Sequence, residues 1–139
     1  MSKKRVFVAF DFDDMSVKSD LLAQSKLPEC PFDLIDCSID KPIDKNWPVE
    51  AERRIRACEC VIVLCGEQTH QAGGASTEVQ IAQALSKRIV CLAATRQATP
   101  TPPKNIPKGT PIFTWRWATV TTLLEGSSPP ENAIVRRAP

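Results

Sequence analysis

Five apolar residues in a row, Val61 to Cys65, stop at Gly66, and a helical pattern begins shortly after at Ser76. A strand that is apolar at every position, and not at alternate ones, must be covered on both faces. Val6–Phe10 and, after its first residue, Arg88–Ala93 share this character. Between them lie segments with helical spacing. Ser16–Ser25 carries Val17, Leu21 and Leu22 on one side, with Ser16 placed to cap. A second helix is capped by Asn46, takes Trp47 and Pro48 in its first turn, and shows Ala51, Ile55 and Cys58 at helical intervals. A third runs from Ser76 to Ser86. Phe32–Cys37 and Pro111–Thr114 read as two further strands, and Trp117–Leu124 as a last helix. Alternating strands and helices predict a parallel sheet of about five strands, helices on both faces, and right-handed crossovers.

The 139 residues suit one domain, assigned to 1–126. The proline-rich stretch Thr95–Lys108 cannot be a regular element. Residues 127–139, with three of the twelve prolines and few core candidates, are expected to form a flexible tail. The net charge is +2, from 18 basic and 16 acidic residues, and the basic residues form small groups without interleaved aromatics. That pattern does not predict a nucleic-acid partner. The apolar runs are too short to span a bilayer, and the N-terminus has no secretory h-region, so a cytoplasmic protein without a membrane partner is expected. The six cysteines then read as reduced thiols, several of them small hydrophobes within strands. Cys58-x-Cys60 lacks zinc spacing and His70 is the one histidine, so no metal site is expected.

Ligands of open α/β sheets bind outside the carboxyl ends of the strands. Those positions are acidic and hydroxyl-rich here: Asp11, Phe12, Asp13 and Asp14 after the first strand; Asp36, Cys37 and Ser38 at the second; Gly66, Glu67, Gln68, Thr69 and His70 after the third. No GxGxxG or GxxxxGK[ST] occurs, which excludes those two phosphate cradles. A phosphoacceptor receiver domain would need an aspartate at the end of the third strand and a lysine after the fifth, where Cys65-Gly66 and Thr114-Trp115 stand.

Glu78 is the conspicuous acid. Ile81, Ala82 and Leu85 follow it at three, four and seven positions, so it heads the apolar stripe of its own helix. Read from position alone, it is either a ligand-facing carboxylate or an acid complementing the helix dipole in the first turn.

Four segments together, KRVFVAFDFDD (4–14), LIDCS (34–38), W-x-x-x-A-x-x-R-I (47–55) and CVIVLCGEQTH…STEVQIA (60–82), resemble the TIR-like family. More narrowly, they are similar to the small stand-alone bacterial TIR-like proteins that include the Thoeris antiphage defence subunit. The resemblance covers Lys4 to Ala94 and fades beyond. It implies a flavodoxin-like three-layer sandwich. It also implies an enzyme that cleaves the nicotinamide glycosidic bond of NAD, with NAD as substrate and no cofactor, and passes an ADP-ribose-derived signal, in some members cyclic, to a downstream effector. Assembly into a homo-oligomer belongs to the same expectation. Glu78 matches the family's catalytic glutamate. Phe10, Asp11, Asp36, Ser38, Trp47, Gln68, Thr69 and His70 match positions that would line the substrate cleft. Thr77 stands where many relatives carry an aromatic residue, which points to an activity switched on by a partner, by assembly or by a trigger. Two other readings stay open: a non-catalytic TIR-like module that binds a nucleotide or partner, and a nucleoside deoxyribosyltransferase-like enzyme. The latter would have a glycine-rich turn after its first strand, which DFDD lacks.

Overall fold

The computed structural model describes residues 4–9, 23–30, 32–37, 47–66, 73–93 and 100–138; for 35–37, 47 and 73–75 it describes the backbone alone. Six strands form one sheet: β1 (Lys4–Ala9), β2 (Phe32–Cys37), β3 (Cys60–Cys65), β4 (Arg88–Ala93), β5 (Pro111–Phe113) and β6 (Ile134–Arg137). Their order is β2-β1-β3-β4-β5-β6. The first five are parallel, and β6 runs antiparallel to β5. Three helices are described over their length: α1 (Trp47–Arg56), α2 (Gly73–Ala84) and α3 (Trp117–Leu124). Residues 23–25 are also helical, within the segment expected to be a helix.

The continuous apolar runs divide between two cores by the two-residue period of a strand. Val6, Val8, Cys60, Ile62, Leu64, Val90, Leu92 and Phe113 point to one face, where Val120, Leu123 and Leu124 of α3 cover them. Phe7, Ala9, Val61, Val63, Cys65, Cys91 and Ile112 point to the other, where Ile55 of α1 and Val79 and Ala82 of α2 pack, with Cys58 just beyond α1. Both faces are therefore dry, which is why β3 is buried at all six positions.

The helices end in ways that can be read from their bonds. After α2, Ser86 N–H donates to the Gln83 carbonyl and Lys87 N–H to that of Ala82. This is a Schellman arrangement, and it places Ser86 at a φ of 57°. After α3, Gly126 and Ser127 donate to the Leu123 and Thr122 carbonyls in the same way, with Gly126 at a φ of 85°. On α1, Arg53 and Arg54 pair with Glu50 and Arg56 pairs with Glu52, all at i,i+3 or i,i+4 spacing. The Arg53 hydrogen bond holds the Glu50 carboxyl below its usual range. All of these charges are at the surface, where such pairs add little.

Two expectations need correction here. The sheet has six strands, not about five, and the segment 127–139 is not a loose tail through 138. Glu131–Ala133 makes a turn of 3₁₀ helix and Ile134–Arg137 pairs with β5. Bonds beyond the strand clamp both of its ends: Thr114 N–H to the Ala133 carbonyl, Ala138 N–H to that of Thr110, and Gly109 N–H to that of Ala138. The apolar content that misled is small because the segment buries few and small side chains: Ala133 and Ala138 enter the cores on opposite faces and Ile134 is half-buried, while Val135 and Arg137 face water. Among the described residues no helix is long and apolar enough to cross a membrane.

Candidate functional site

The strand order reverses between β1 and β3, and both run in the same direction, so their carboxyl ends flank the crevice where open α/β sheets take ligands. β3 ends at Cys65, just before Gly66, and the chain returns as α2 over the face holding Val61 and Val63. Glu78 projects from this helix and is 1% exposed, the one fully buried carboxylate among the described residues.

The helix begins at Gly73 and not at Ser76. Glu78 is thus its sixth residue, in the second turn, and no acid stands in the first turn. The helix thus includes two glycines of low helix propensity. The dipole effect fades beyond the first turn, so it does not account for this acid. Val79 and Ala82 on the same helix are buried, and Ile81 and Leu85 are half-buried against the same core, as the apolar stripe requires. A carboxylate in such a setting costs several kcal/mol in lost hydration unless polar partners offset it. The residue does interact with its surroundings, while its Oε2 atom is buried and takes no hydrogen bond.

The proline-rich segment supplies a part of the site that the sequence did not disclose. Its described part, 100–110, is irregular, as expected. Yet it is fastened across the end of β3 and the start of α2. Thr101 donates to the Gly66 carbonyl from both its N–H, at 2.8 Å, and its hydroxyl, at 3.0 Å. The Asn105 amide donates to the Ser76 carbonyl at 2.7 Å, and Gln83 donates to the Asn105 carbonyl at 3.0 Å. Ile106 buries its side chain in the core beneath α2. Asn105 therefore fixes the helical turn that carries Glu78. Its own Oδ1 is buried without a hydrogen bond. The signal that could have found these residues is the combination of polar Thr101 and Asn105 with apolar Ile106 inside a run of prolines: stiff backbone with a few side chains placed to anchor it.

Of the other residues expected at the site, Asp36 lies in β2 in register with Phe7 of β1, just past an irregularity in the pairing. Trp47 is the first residue of α1. Phe10, Asp11, Ser38, Gln68, Thr69 and His70 lie outside the described residues. The backbone thus puts Asp36 and Glu78 on elements that flank the reversal point, with Trp47 opening the helix after β2.

The cysteines behave as core atoms. Cys30, Cys58, Cys60, Cys65 and Cys91 are free and buried. Burial pushes the Cys60 thiol up to about 12 and also raises Cys58. Cys65 is raised well above the usual range, first by its contact with Cys91 and then by burial. Such thiols are inert toward oxidants and electrophiles. Among the described residues no group of His, Cys, Asp or Glu side chains is placed to hold a metal ion. No family model matches the chain, and no curated protein matches it.

Proposed function

We propose that the protein is a TIR-like enzyme of flavodoxin-like architecture that cleaves the bond between nicotinamide and ribose in NAD. The observation that carries this reading is the burial of Glu78 in the second turn of the helix after β3, beside the reversal point of the sheet. The order of the first five strands, 2-1-3-4-5, is that of doubly wound flavodoxin-like sheets and supports the architectural part.

The chemistry asks little of the protein. Nicotinamide departs as a neutral molecule from a cationic pyridinium, so no general acid is required. The ribose left behind is oxocarbenium-like and cationic. A fixed carboxylate out of bulk water stabilises that charge and holds the ribose hydroxyls, and its position costs no reorganisation as the bond breaks. Water, or a nucleophile within the ADP-ribose, then attacks the anomeric carbon; attack from within gives a cyclic product. In this reading Glu78 is the catalytic residue, Asp36 and Trp47 border the cleft, and Asn105 is a positioning residue that acts through Ser76. The product serves as a diffusible signal to an effector in antiphage defence, and assembly or a trigger switches the enzyme on, in keeping with Thr77 beside the acid.

The test is nicotinamide release from NAD by the wild type and by Glu78→Gln, with and without a cell-derived trigger. The variant keeps the shape and removes the charge, and a loss of about 100-fold or more is expected. Equal rates for an active wild type and the variant would remove Glu78 from the mechanism. Inactivity of both under every condition would favour the binding-module reading, and base exchange between deoxynucleosides would favour the deoxyribosyltransferase one.

A further inference from the structure

At the edge where β4 and β5 begin, away from Glu78, a cavity of about 390 Å³ lies between β4, β5, β6 and the end of α3. Its origin is a difference in element length. α3 has eight residues, about 12 Å, whereas the six residues of β4 run about 20 Å. The helix ends at Leu124 and the chain turns out through Gly126, so α3 does not cover β4 to its first residue, and Arg88 is exposed. Arg88 stands two residues before Val90, Pro111 two before Phe113, and Arg137 opposite Pro111. These side chains therefore share the sheet face that α3 packs against.

The floor and the mouth of this cavity differ in chemistry. Val90, Phe113 and Leu123 belong to the core and Ile134 packs on it, which makes the floor apolar. Arg88 and Arg137, both exposed, stand at the mouth. The two arginines are held in different ways. Arg137 is tied down: it donates to the Gly109 carbonyl at 3.2 Å and lies 3.6 Å from Glu131. Arg88 reaches across to the helix end, and its Nη1 atom lies 3.8 Å from where a Cβ on Gly126 would stand. The carbonyl end of α3 favours a cation there. Yet among the described residues Arg88 makes no hydrogen bond and no ion pair, so its donors stay open. Glu131 is the one carboxylate on the wall, against two guanidiniums, which leaves one positive charge in excess. An arginine on an open surface needs no partner but water; this one borders a recess with an apolar floor, the pairing that small-molecule sites combine.

We infer that this cavity binds a small apolar carboxylate, a single ring or branched alkyl group carrying one negative charge. The carboxylate accepts two hydrogen bonds from the fork of Arg88, Arg137 adds countercharge, and the apolar body lies on Phe113, Leu123 and Ile134. The single excess charge matches a monoanion, whereas Glu131 would repel a phosphate dianion more strongly. The volume is at the lower end for ligand sites, which limits the occupant to a small molecule. The inference does not depend on the chemistry at Glu78; either can fail while the other stands.

Benzoate is the probe, with benzamide as its neutral counterpart and acetate as the same charge without the ring. Titration of the full chain at constant ionic strength, followed by amide and methyl chemical shifts, is expected to show saturable benzoate binding. The largest shifts are expected at Arg88, Phe113, Leu123 and Ile134, and benzamide and acetate are each expected to bind roughly tenfold more weakly. Arg88→Gln is expected to weaken benzoate binding roughly tenfold and to leave benzamide binding unchanged. Arg88→Lys is expected to recover only part of the loss, because lysine keeps the charge without the fork. No saturable binding, benzamide or acetate binding as tightly as benzoate, inorganic phosphate binding more tightly, shifts centred elsewhere, or Arg88→Gln binding as the wild type does would overturn the inference. Should Arg88→Gln fold poorly, the comparison of the probes on the wild type and its shift map decide the matter.

Discussion

Single residues in this protein differ most in how far water is kept from a group that would ordinarily ionise. Cys60 sits on the inner strand β3 with its thiol pushed up to about 12 by burial, while an unfolded chain would ionise it near the ordinary thiol value of 9.0. Cys58 and Cys65 move in the same direction. The folded state thus keeps protons that the unfolded state releases. Stability from these thiols is fully present below the unfolded value and drains away as pH climbs toward the folded one. Urea unfolding is expected to show stability falling above pH 9 by up to about 1.4 kcal/mol per pH unit from Cys60, with Cys58 and Cys65 acting in the same direction. Flat stability from pH 9 to 11 would mean that the thiols are hydrated in the native state. Glu78 is the opposite kind of residue. Its burial has no structural reward comparable to that of a leucine, and a cost tolerated at one position is commonly the mark of a working group.

At the scale of the element, the two Schellman ends form a natural comparison. Both place one residue in the left-handed region: Gly126 after α3 and Ser86 after α2. Glycine reaches that conformation without a Cβ penalty, whereas serine pays for it in steric strain of about 1 kcal/mol. Ser86→Gly is therefore expected to stabilise the fold by about 0.5–1 kcal/mol, and Gly126→Ala to destabilise it by about as much; thermal unfolding of the two variants checks both signs. The start of α2 was not legible in the same way. Gly73 and Gly74 look like a loop by propensity, so the helical spacing reads as opening at Ser76, three residues late. The lost turn mattered, because it decides whether Glu78 lies within reach of the helix dipole.

At the scale of the whole molecule, the sheet closes its far side with a strand that reverses direction. β6 shields β5, which is only three residues long, and its two arginines are tied back to the chain: Arg136 to the Pro100 carbonyl at 3.2 Å and Arg137 to that of Gly109 at 3.2 Å. Charged residues on an outer strand also discourage edge-to-edge pairing. Deleting 134–139 is expected to remove about 3–5 kcal/mol of stability through the lost ladder and end clamps, and to expose β5 as a pairing edge. The denaturant midpoint and the monomer fraction of the truncated chain measure this; an unchanged midpoint would mean the segment contributes nothing to the fold. The tie from Arg136 to Pro100 also connects the edge of the sheet to the segment that holds Thr101 and Asn105 against α2.

The sequence by itself determined the alternation of strands and helices, the parallel core, the two-sided burial of β3 and the oddness of Glu78. Each of these is written in local periodicity, in side chains two or three to four positions apart. Tertiary structure alone decided the sixth strand, the earlier start of α2, and the fastening of 101–105 to Gly66 and Ser76. The sixth strand and the fastening rest on hydrogen bonds between groups far apart in the chain, which leave no pattern in composition or spacing, and the start of α2 at Gly73 runs against the local propensity of two glycines.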